Sequence, residues 1–300
     1  VGRAWAVVFA RAGHEVALFD AAEAQAEAAL PLIRRTLETL AGAGWLTDPV
    51  ESVMARLDPA ATLAEAVAGA LHVQESVRED VATKRAVFAE IGRHAEVEAT
   101  LASSTSALRG SEFLGEIPHP ERALVAHPVN PPSLIPLVEL CPSRWTAPGT
   151  VARVRAFMES LGMRPVTLNR EIDGFLLNRL QYTLVAEALH LVGEGYCSAA
   201  DIDRVMTEGL ALRWVSIGPF MTAHLNATGG FQGFVEQLGP MMRRMGEDAR
   251  TGYAWTAEQA AAIHAAMAAQ VPVEGIPERQ AWRDARILAA RLLQREGEAG

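Results

Sequence analysis

The chain opens with VGRAWAVVFARAGHEVALFD, residues Val1–Asp20, and this stretch decides the fold. The apolar side chains ahead of Gly13 recur at helical spacing, and glycine is typical of a helix end. The run from Glu15 onward predicts a short strand that ends in an acid, Asp20. Helix, glycine, strand and acid form the second half of a βαβ unit, with Gly2 in the place of the last glycine of GxGxxG. An ordinary αβ unit would look similar.

The acid at the end of this strand bears on the choice of cofactor. In a dinucleotide-binding unit, a carboxylate in the place of Asp20 accepts hydrogen bonds from the adenosine ribose and repels a 2′-phosphate, so NAD is favoured over NADP. The first strand and the two earlier glycines of GxGxxG are not in the sequence. We therefore predict an α/β Rossmann-type NAD-binding domain without its first strand.

A second informative stretch is ALVAHPVNPPSLIPLVEL, residues Ala123–Leu140. Two short apolar runs flank a proline-rich segment, which predicts a strand, a stiffened turn and another strand. His127 stands at the end of the first run and Glu139 lies within the second. An imidazole at a strand end, with a carboxylate on the next strand to orient it, is the arrangement that a general acid–base needs. A structural histidine beside a rigid loop is the alternative.

The composition of the whole chain limits its class. A length of 300 residues is sufficient for two domains. The net charge of -9 is spread along the sequence, which argues against nucleic acid and an anionic membrane as partners. Cys141 and Cys197 are the only cysteines and show no metal-ligand spacing, so we expect a reducing compartment and no metal site. Without a recognisable signal peptide or an apolar run near the roughly 20 residues of a membrane span, we expect a cytoplasmic protein.

Polar residues stand at the ends of predicted strands in the first half of the chain. Glu79 and Lys84 follow the short strand Leu71–Gln74, where ligands of open α/β sheets bind; solvent-facing charges on the next helix are the alternative. Lys84 is the only lysine among 27 lysines and arginines, which favours a role that arginine cannot fill. Ser106 ends the hydroxyl cluster Ser103–Ser106, which could cap a helix or face a ligand. Without GxSxG around it, Ser106 is not predicted to be a hydrolase nucleophile.

Helical periodicity dominates the second half of the chain. The last predicted strand is Arg164–Leu168, and beyond it we predict helices at Phe175–Glu194, Ala199–Glu208, Pro219–Gly230, Phe231–Met245, Thr256–Gln270 and Arg279–Glu296. The change of period predicts two domains, an NAD-binding Rossmann-like domain over residues 1–168 and an all-α C-terminal domain over residues 169–300.

Several motifs, in order and with matching gaps, resemble the 3-hydroxyacyl-CoA dehydrogenase superfamily, and within it the lambda-crystallin / L-gulonate 3-dehydrogenase branch. The resemblance extends over nearly the whole chain, to about Met245. Such an ordered set is more specific than any single motif. The matching stretches are Val1–Ala6, Ser103–Ser106, Ala126–Pro132, Pro136–Leu140, Gly174–Tyr182 and His224–Ala227.

The resemblance implies a role for each matching residue. His127 would be the general base that accepts the hydroxyl proton, and Glu139 would orient its ring. Ser106 and Asn178 would hydrogen-bond the reacting oxygen of the substrate. The helical domain would contribute to substrate binding and pair into a homodimer. The positions that would contact NAD are Val1, Gly2, Asp20, Glu79, Lys84 and Asn130.

The chain departs from the acyl-CoA enzymes in two places that bear on the substrate. Those enzymes resemble His-Phe-Phe-Asn-Pro at the catalytic turn, whereas this chain has HPVNP at His127–Pro131. They also carry a Tyr-Pro-Met-Gly-Pro-like run where this chain has Arg213 and Trp214. A guanidinium binds a carboxylate through two hydrogen bonds, so Arg213 is a candidate substrate residue; a surface ion pair is the alternative. Arg-Trp at this place also resembles L-carnitine dehydrogenases.

The expected function is NAD-dependent oxidation of the 3-hydroxyl of a small L-3-hydroxy acid, as in L-gulonate 3-dehydrogenase. The alternatives among enzymes are an L-3-hydroxyacyl-CoA dehydrogenase, for example of 3-hydroxybutyryl-CoA, and an L-carnitine dehydrogenase. A crystallin-like structural protein is the alternative outside enzymes. The residues that proton transfer needs are all present, which argues against that last alternative.

Overall fold

A computed structural model describes residues 1–22, 24–249, 252 and 256–298. The chain divides into two compact units, Val1–Asn178 and Arg179–Gly300. All strands of the described residues lie in the first unit, and the second unit is helical. The expected order of an α/β domain followed by an all-α domain is confirmed. The domain limits at residues 168 and 169 stay a prediction.

The first unit alternates strands and helices, the pattern of a doubly wound α/β domain. Its strands are β1 (Val16–Leu18), β2 (Leu57–Pro59), β3 (His72–Glu75), β4 (Thr100–Ser103), β5 (Ala123–Pro128), β6 (Leu137–Pro142) and β7 (Arg164–Thr167). Its helices are α1 (Gly2–Arg11), α2 (Gln25–Gly42), α3 (Val50–Met54), α4 (Leu63–Val67), α5 (Val81–His94) and α6 (Pro148–Ser160), with short 3-10 helices at Gly110–Glu112 and Pro120–Arg122.

These strands form two sheets. Strand β1 pairs in parallel with β2, and the larger sheet has the order β3-β4-β5-β6-β7, in which only the β5–β6 pair is antiparallel. Strands β1 and β3 therefore belong to different sheets. The gap between them is the place that the first strand occupies in a Rossmann order.

Helices cover both faces of the larger sheet. On β4 and β5, successive side chains point to opposite faces and enter different hydrophobic clusters. Ala102 and Leu124 pack with residues of α1 and α6, whereas Leu101 and Val125 pack with residues of α5. Burial on both faces explains why these strands read as continuous apolar runs instead of alternating ones.

Two short elements, α3 and β2, were not predicted from the sequence. Strand β2 contains only three residues, two of which are Asp58 and Pro59, so the sequence offers no alternation to detect. Its pairing with β1, in which Val16 lies opposite Leu57, is what makes it a strand. This contact depends on the tertiary structure and not on local preference.

Helices follow one another through the rest of the chain. They are α7 (Leu177–Gly193), α8 (Ala199–Arg204), a π-helical segment (Val205–Leu210), α9 (Ala211–Trp214), α10 (Pro219–Leu225), α11 (Gly230–Asp248), α12 (Ala257–Gln270), a 3-10 turn (Val273–Gly275) and α13 (Ile276–Glu298). None of the described helices combines the length and the apolar character that crossing a bilayer requires.

Candidate active site

The register of the β5–β6 hairpin brings the first two candidate residues together. His127 lies directly opposite Glu139 in the antiparallel pair, so both side chains point to the same face. His127 Nδ1 lies 2.8 Å from Glu139 Oε2, and the two side chains are only 5% and 1% exposed. The strand, turn and strand predicted from the sequence are confirmed, and they place an imidazole and a carboxylate in direct contact.

The second oxygen of Glu139 is held by the start of helix α7. Glu139 Oε1 accepts hydrogen bonds from the amides of Leu176 and Leu177, at 2.8 and 3.0 Å. The first amides of a helix have no acceptor within the helix, so they are free to bind a carboxylate. Because a carboxylate only accepts hydrogen bonds, Nδ1 of His127 is the donor between the two side chains. Nε2 is then the ring nitrogen that carries the free lone pair.

The ring of Phe175 packs beside the imidazole of His127. Its ring is fully buried, and its centroid lies 5.2 Å from that of the imidazole. Its φ of 53° is in the left-handed region, directly after Gly174 with φ of 72°. This turn leads into α7, which begins at Leu177, so the predicted helix start at Phe175 was two residues early. A left-handed non-glycine residue costs on the order of 1 kcal/mol, and burial of the ring offsets that cost.

Ser106 lies on an exposed loop that follows β4. Strands β4 and β5 are parallel neighbours, so their carboxyl ends bring Ser106 and His127 to the same edge of the sheet. The Ser106 amide donates to Glu79 Oε1 at 3.0 Å. Burial raises the pKa of Glu79, but hydrogen bonds from Thr105 and the following backbone, with the charge of Lys84, outweigh this and hold that pKa below its usual value.

Asn178 is connected to the same loop. Its side-chain amide, Nδ2, donates to the backbone carbonyl of Ser106 at 2.7 Å. The second N–H of Asn178 Nδ2 remains to donate a hydrogen bond, and the amide oxygen remains to accept one. Asn178 is the last residue of the first compact unit. The four candidate catalytic residues, Ser106, His127, Glu139 and Asn178, therefore all lie within that unit.

Lys84 is a buried cation, and the solvent-facing alternative for this residue is wrong. Its side chain is only 1% exposed, and Nζ lies 2.9 and 3.1 Å from the two carboxylate oxygens of Glu75. Ser103 donates its hydroxyl proton to the same carboxylate at 2.6 Å. Glu79 is a second, more distant acid, with Oε2 at 3.8 Å from Nζ. The sequence reasoning missed Glu75, although the only lysine of the chain signalled that a buried acid should be sought.

The start of α1 and the end of β1 have some of the features that a dinucleotide site uses. The first amides of this helix have no acceptor within it and can bind the pyrophosphate. A Cβ atom added to Gly2 would meet Ser76 Cβ at 3.6 Å and Ser76 Oγ at 3.9 Å, which are ordinary van der Waals contacts. Asp20 is exposed just past β1, and its Oδ1 accepts the Ala22 amide at 2.9 Å. Val1 is also exposed.

Two further candidate residues have exposed side chains. Asn130 lies in the β5–β6 connection. Arg213 lies in α9 of the helical unit, and its surface ion-pair alternative is not realised among the described residues. No group of three metal-binding side chains occurs in the part of the chain that the structure describes.

A Rossmann-type domain followed by a helical domain, with an imidazole and a carboxylate at the sheet edge, defines an NAD-dependent dehydrogenase. Family models match both parts of the chain: the 3-hydroxyacyl-CoA dehydrogenase NAD binding domain over residues 1–172, and the C-terminal domain over residues 174–261. The chain belongs to the 3-hydroxyacyl-CoA dehydrogenase family. It is an oxidoreductase that acts on a CH–OH group with NAD as its cofactor.

Relatives and solved structures agree with this assignment. The bovine lambda-crystallin homolog is 42% identical over 300 residues, which is 99% of this chain and 93% of the relative. The L-carnitine dehydrogenase of Oceanobacillus iheyensis is 35% identical over 244 residues, 81% and 78% of the two chains. The crystal structure of an NAD+ dependent 5-dehydrogenase of 5-formyl-3-hydroxy-2-methylpyridine 4-carboxylic acid has a TM-score of 0.78, at 24% identity, and covers 97% of this chain and 94% of its own. At that identity, the structural likeness concerns the fold alone.

Proposed function

We propose that the chain oxidises the 3-hydroxyl of a small L-3-hydroxy acid, L-gulonate or a close relative, with His127 as the general base. The observation that carries the proposal is the buried contact of 2.8 Å between His127 Nδ1 and Glu139 Oε2. Glu139 is itself held at the start of α7, so the ring is fixed with Nε2 available to accept a proton.

Each residue of the site has a physical task in this reaction. His127 Nε2 takes the hydroxyl proton, and Glu139 orients the ring and stabilises the imidazolium that forms. Ser106 and Asn178 hold the reacting oxygen so that its proton faces the imidazole. NAD, when bound, would supply the redox chemistry as the acceptor of a hydride from the same carbon. In the reverse direction, the imidazolium returns the proton to the oxygen.

The choice of substrate depends on Arg213 and on the relatives. An exposed guanidinium that binds a carboxylate through two hydrogen bonds suits a free acid. The 42% identity with the bovine lambda-crystallin homolog supports the L-gulonate 3-dehydrogenase branch. L-Carnitine, which is also a free 3-hydroxy acid, is the second candidate, because the Oceanobacillus L-carnitine dehydrogenase is 35% identical. A 3-hydroxyacyl-CoA thioester is the third candidate, because the family models that match this chain are those of 3-hydroxyacyl-CoA dehydrogenases.

A substrate panel tests the proposal. The purified protein is mixed with NAD and, in separate assays, with L-gulonate, L-3-hydroxybutyrate, L-carnitine and 3-hydroxybutyryl-CoA, and the NADH formed is followed by absorbance. We expect the largest kcat/KM with L-gulonate. A preference for L-carnitine would select the second candidate, and a preference for the thioester would contradict the free-acid assignment. Absence of turnover with all four would contradict the proposal.

The role of Arg213 is tested by Arg213→Met. We expect KM for the preferred free acid to rise by roughly 10–100-fold, because a charge-assisted pair is lost. Arg204→Met is the matched control, since Arg204 is a 65% exposed arginine of the same unit that pairs with Asp201. An unchanged KM for Arg213→Met would remove this residue from the site.

We also propose that the protein is cytoplasmic and pairs with a second copy of itself through the helical unit. Leu180 and Leu184 lie four residues apart on one face of α7, with 67% and 41% exposed, and Phe220 is 77% exposed. Sedimentation velocity should show a dimer for the wild type and a monomer for Leu180→Glu. Leu71→Glu, at an 83% exposed leucine of the first unit, should remain a dimer. A monomeric wild type would contradict the proposal.

A further inference from the structure

A single oxygen of Glu79 holds the loop that carries Ser106. Glu79 Oε1 accepts hydrogen bonds from three successive amides, at 3.0 Å from Ser106, 3.0 Å from Ala107 and 3.4 Å from Leu108. The hydroxyl of Thr105 donates to the same oxygen. Successive amides that converge on one acceptor form a cradle for an anion, and here the anion belongs to the protein.

The other oxygen of Glu79 faces the buried cation. Glu79 Oε2 lies 3.8 Å from Lys84 Nζ, and Lys84 is fixed by its contact of 2.9 Å with Glu75 and a longer one of 3.5 Å with the Ser103 hydroxyl. The carboxylate therefore joins a rigid group, buried between β3, β4 and α5, to an exposed loop. A loop of this kind has no strand ladder to position it, so the anchor decides where its backbone lies.

The anchor extends to a second candidate residue. The Ser106 carbonyl accepts the hydrogen bond of Asn178 Nδ2 at 2.7 Å, while the Ser106 amide donates to Glu79. Moving the backbone of Ser106 would displace the Ser106 hydroxyl and the Asn178 side chain together. A misplacement of about 1 Å in a reacting group can cost about 100-fold in rate.

We propose that Glu79 is a positioning residue that fixes the Ser106 loop and, through the Ser106 carbonyl, the Asn178 amide. The inference rests on the proposed function in one respect, that Ser106 and Asn178 contact the reacting oxygen. It differs from the cofactor-contact role that family resemblance implies for Glu79. Four donors already meet Oε1, and Oε2 is directed to Lys84, so the first effect of removing the carboxylate falls on the loop.

Amide hydrogen exchange tests the positioning without any substrate. In Glu79→Ala and Glu79→Gln, we expect the amides of Ser106 and Ala107 to exchange roughly 10-fold faster or more, with the smaller change in the glutamine variant. The matched control is Glu171→Gln, because Glu171 Oε1 holds the Ser111 amide at 2.7 Å a few residues further on. The control should accelerate Ser111 and leave Ser106 unchanged. Unchanged exchange at Ser106 in both Glu79 variants would overturn the proposal.

Steady-state kinetics with the preferred substrate test the link to catalysis. We expect Glu79→Ala to lower kcat by roughly 10–100-fold, while the dissociation constant of NAD, measured by fluorescence titration, changes by less than about 2-fold. A cofactor contact would instead raise that constant and leave kcat at saturating NAD intact, which would contradict the proposal. Should Glu79→Ala fail to fold, Glu79→Gln carries the same comparison.

A double-mutant cycle with Ser106→Ala separates positioning from any other effect. Ser106→Ala removes the hydroxyl but keeps the carbonyl that holds Asn178, so in this background Glu79→Ala should still lower kcat, by a clearly smaller factor than in the wild type. Full additivity of the two losses would overturn the proposal. If no substrate of the panel turns over, the proposed function fails, while the amide exchange still decides whether Glu79 positions the loop.

Discussion

Two histidines lie at opposite ends of the strands of one sheet, and their partners differ in charge. His127 is near the end of β5, with Nδ1 at 2.8 Å from the Glu139 carboxylate. His72 begins β3, with Nδ1 at 2.7 Å from the Thr100 hydroxyl and Nε2 at 3.1 Å from the Gln74 side-chain oxygen. Both nitrogens of His72 are occupied by neutral groups, whereas one nitrogen of His127 faces an acid.

This difference explains why one ring suits chemistry and the other suits packing. His72 lies among the rings of Phe9 and Phe157. Burial lowers its pKa to about 4, because it outweighs the hydrogen bond with Gln74, which raises that pKa. A ring that stays neutral to that pH cannot hold a proton near neutrality. At the other end, Glu139 is placed to stabilise the imidazolium of His127, which proton transfer requires. The two histidines therefore differ because His127 has a carboxylate as its partner, whereas the partners of His72 are neutral.

The largest effect should come from His127→Gln. Because the variant lacks the base, we expect kcat with the preferred substrate to fall by roughly 10³–10⁴-fold, while NAD affinity stays within about 2-fold. His72→Phe is the control at the other end of the strands and should keep kcat within about 3-fold, because its ring takes no part in proton transfer. Retention of most activity by His127→Gln would remove His127 from the mechanism.

Phe175→Ala should have the next largest effect. Deleting a fully buried ring leaves a cavity beside the imidazole, so we expect the free energy of unfolding to fall by about 3–5 kcal/mol in urea titrations. Leu114→Ala, at another fully buried side chain of the same cluster, should lose about 2–5 kcal/mol but keep its kcat. The kcat of Phe175→Ala should also fall. Equal kcat in both variants would show that Phe175 does not position His127.

The pH dependence of stability should reveal His72. Its pKa in the folded chain, about 4, lies below the ordinary value of 6.5. As the pH falls, the unfolded chain therefore binds a proton on His72 before the folded chain does. The contribution of the neutral His72 ring to the free energy of unfolding is complete above pH about 6.5 and is lost as the pH falls towards about 4. We expect a loss of up to about 3 kcal/mol across that range, seen as the difference between the wild type and His72→Phe. Parallel stability curves for the two proteins would contradict the assignment.

The smallest effect concerns the two thiols. Cys141, two residues beyond Glu139 on β6, is fully buried, and burial together with the charges of Glu171 and Glu139 raises its pKa to about 12. Cys197 is only partly buried. A thiol reagent should therefore label Cys197 in the native protein and both cysteines in urea, because the thiolate is the reactive form. Rapid native labelling of Cys141 would mean that the hairpin beside Glu139 opens more readily than its burial implies.

The sequence predicted the order of the strands and the hairpin well, because continuous apolar runs and prolines are local signals. Helix α5 also has a local signal, because Asp80 caps its first turn through the Thr83 amide. The sequence could not predict that Glu75 pairs with Lys84 or that Glu79 binds three amides of a loop. Those partners are separated by 9 to 29 residues in the chain and meet only when the strands pair.

The amino-acid sequence alone was sufficient for the class of fold, the cofactor and the identity of His127 and Glu139 as a candidate pair. Periodicity and a terminal acid are patterns of neighbouring residues, and the motifs are recognised by their order and spacing along the sequence, so none of these signals requires the tertiary structure. Only the tertiary structure decided which ring nitrogen of His127 is free, because the start of α7 fixes Glu139. It also decided that His72 is neutral and Lys84 buried, because burial and partners arise when distant segments pack together.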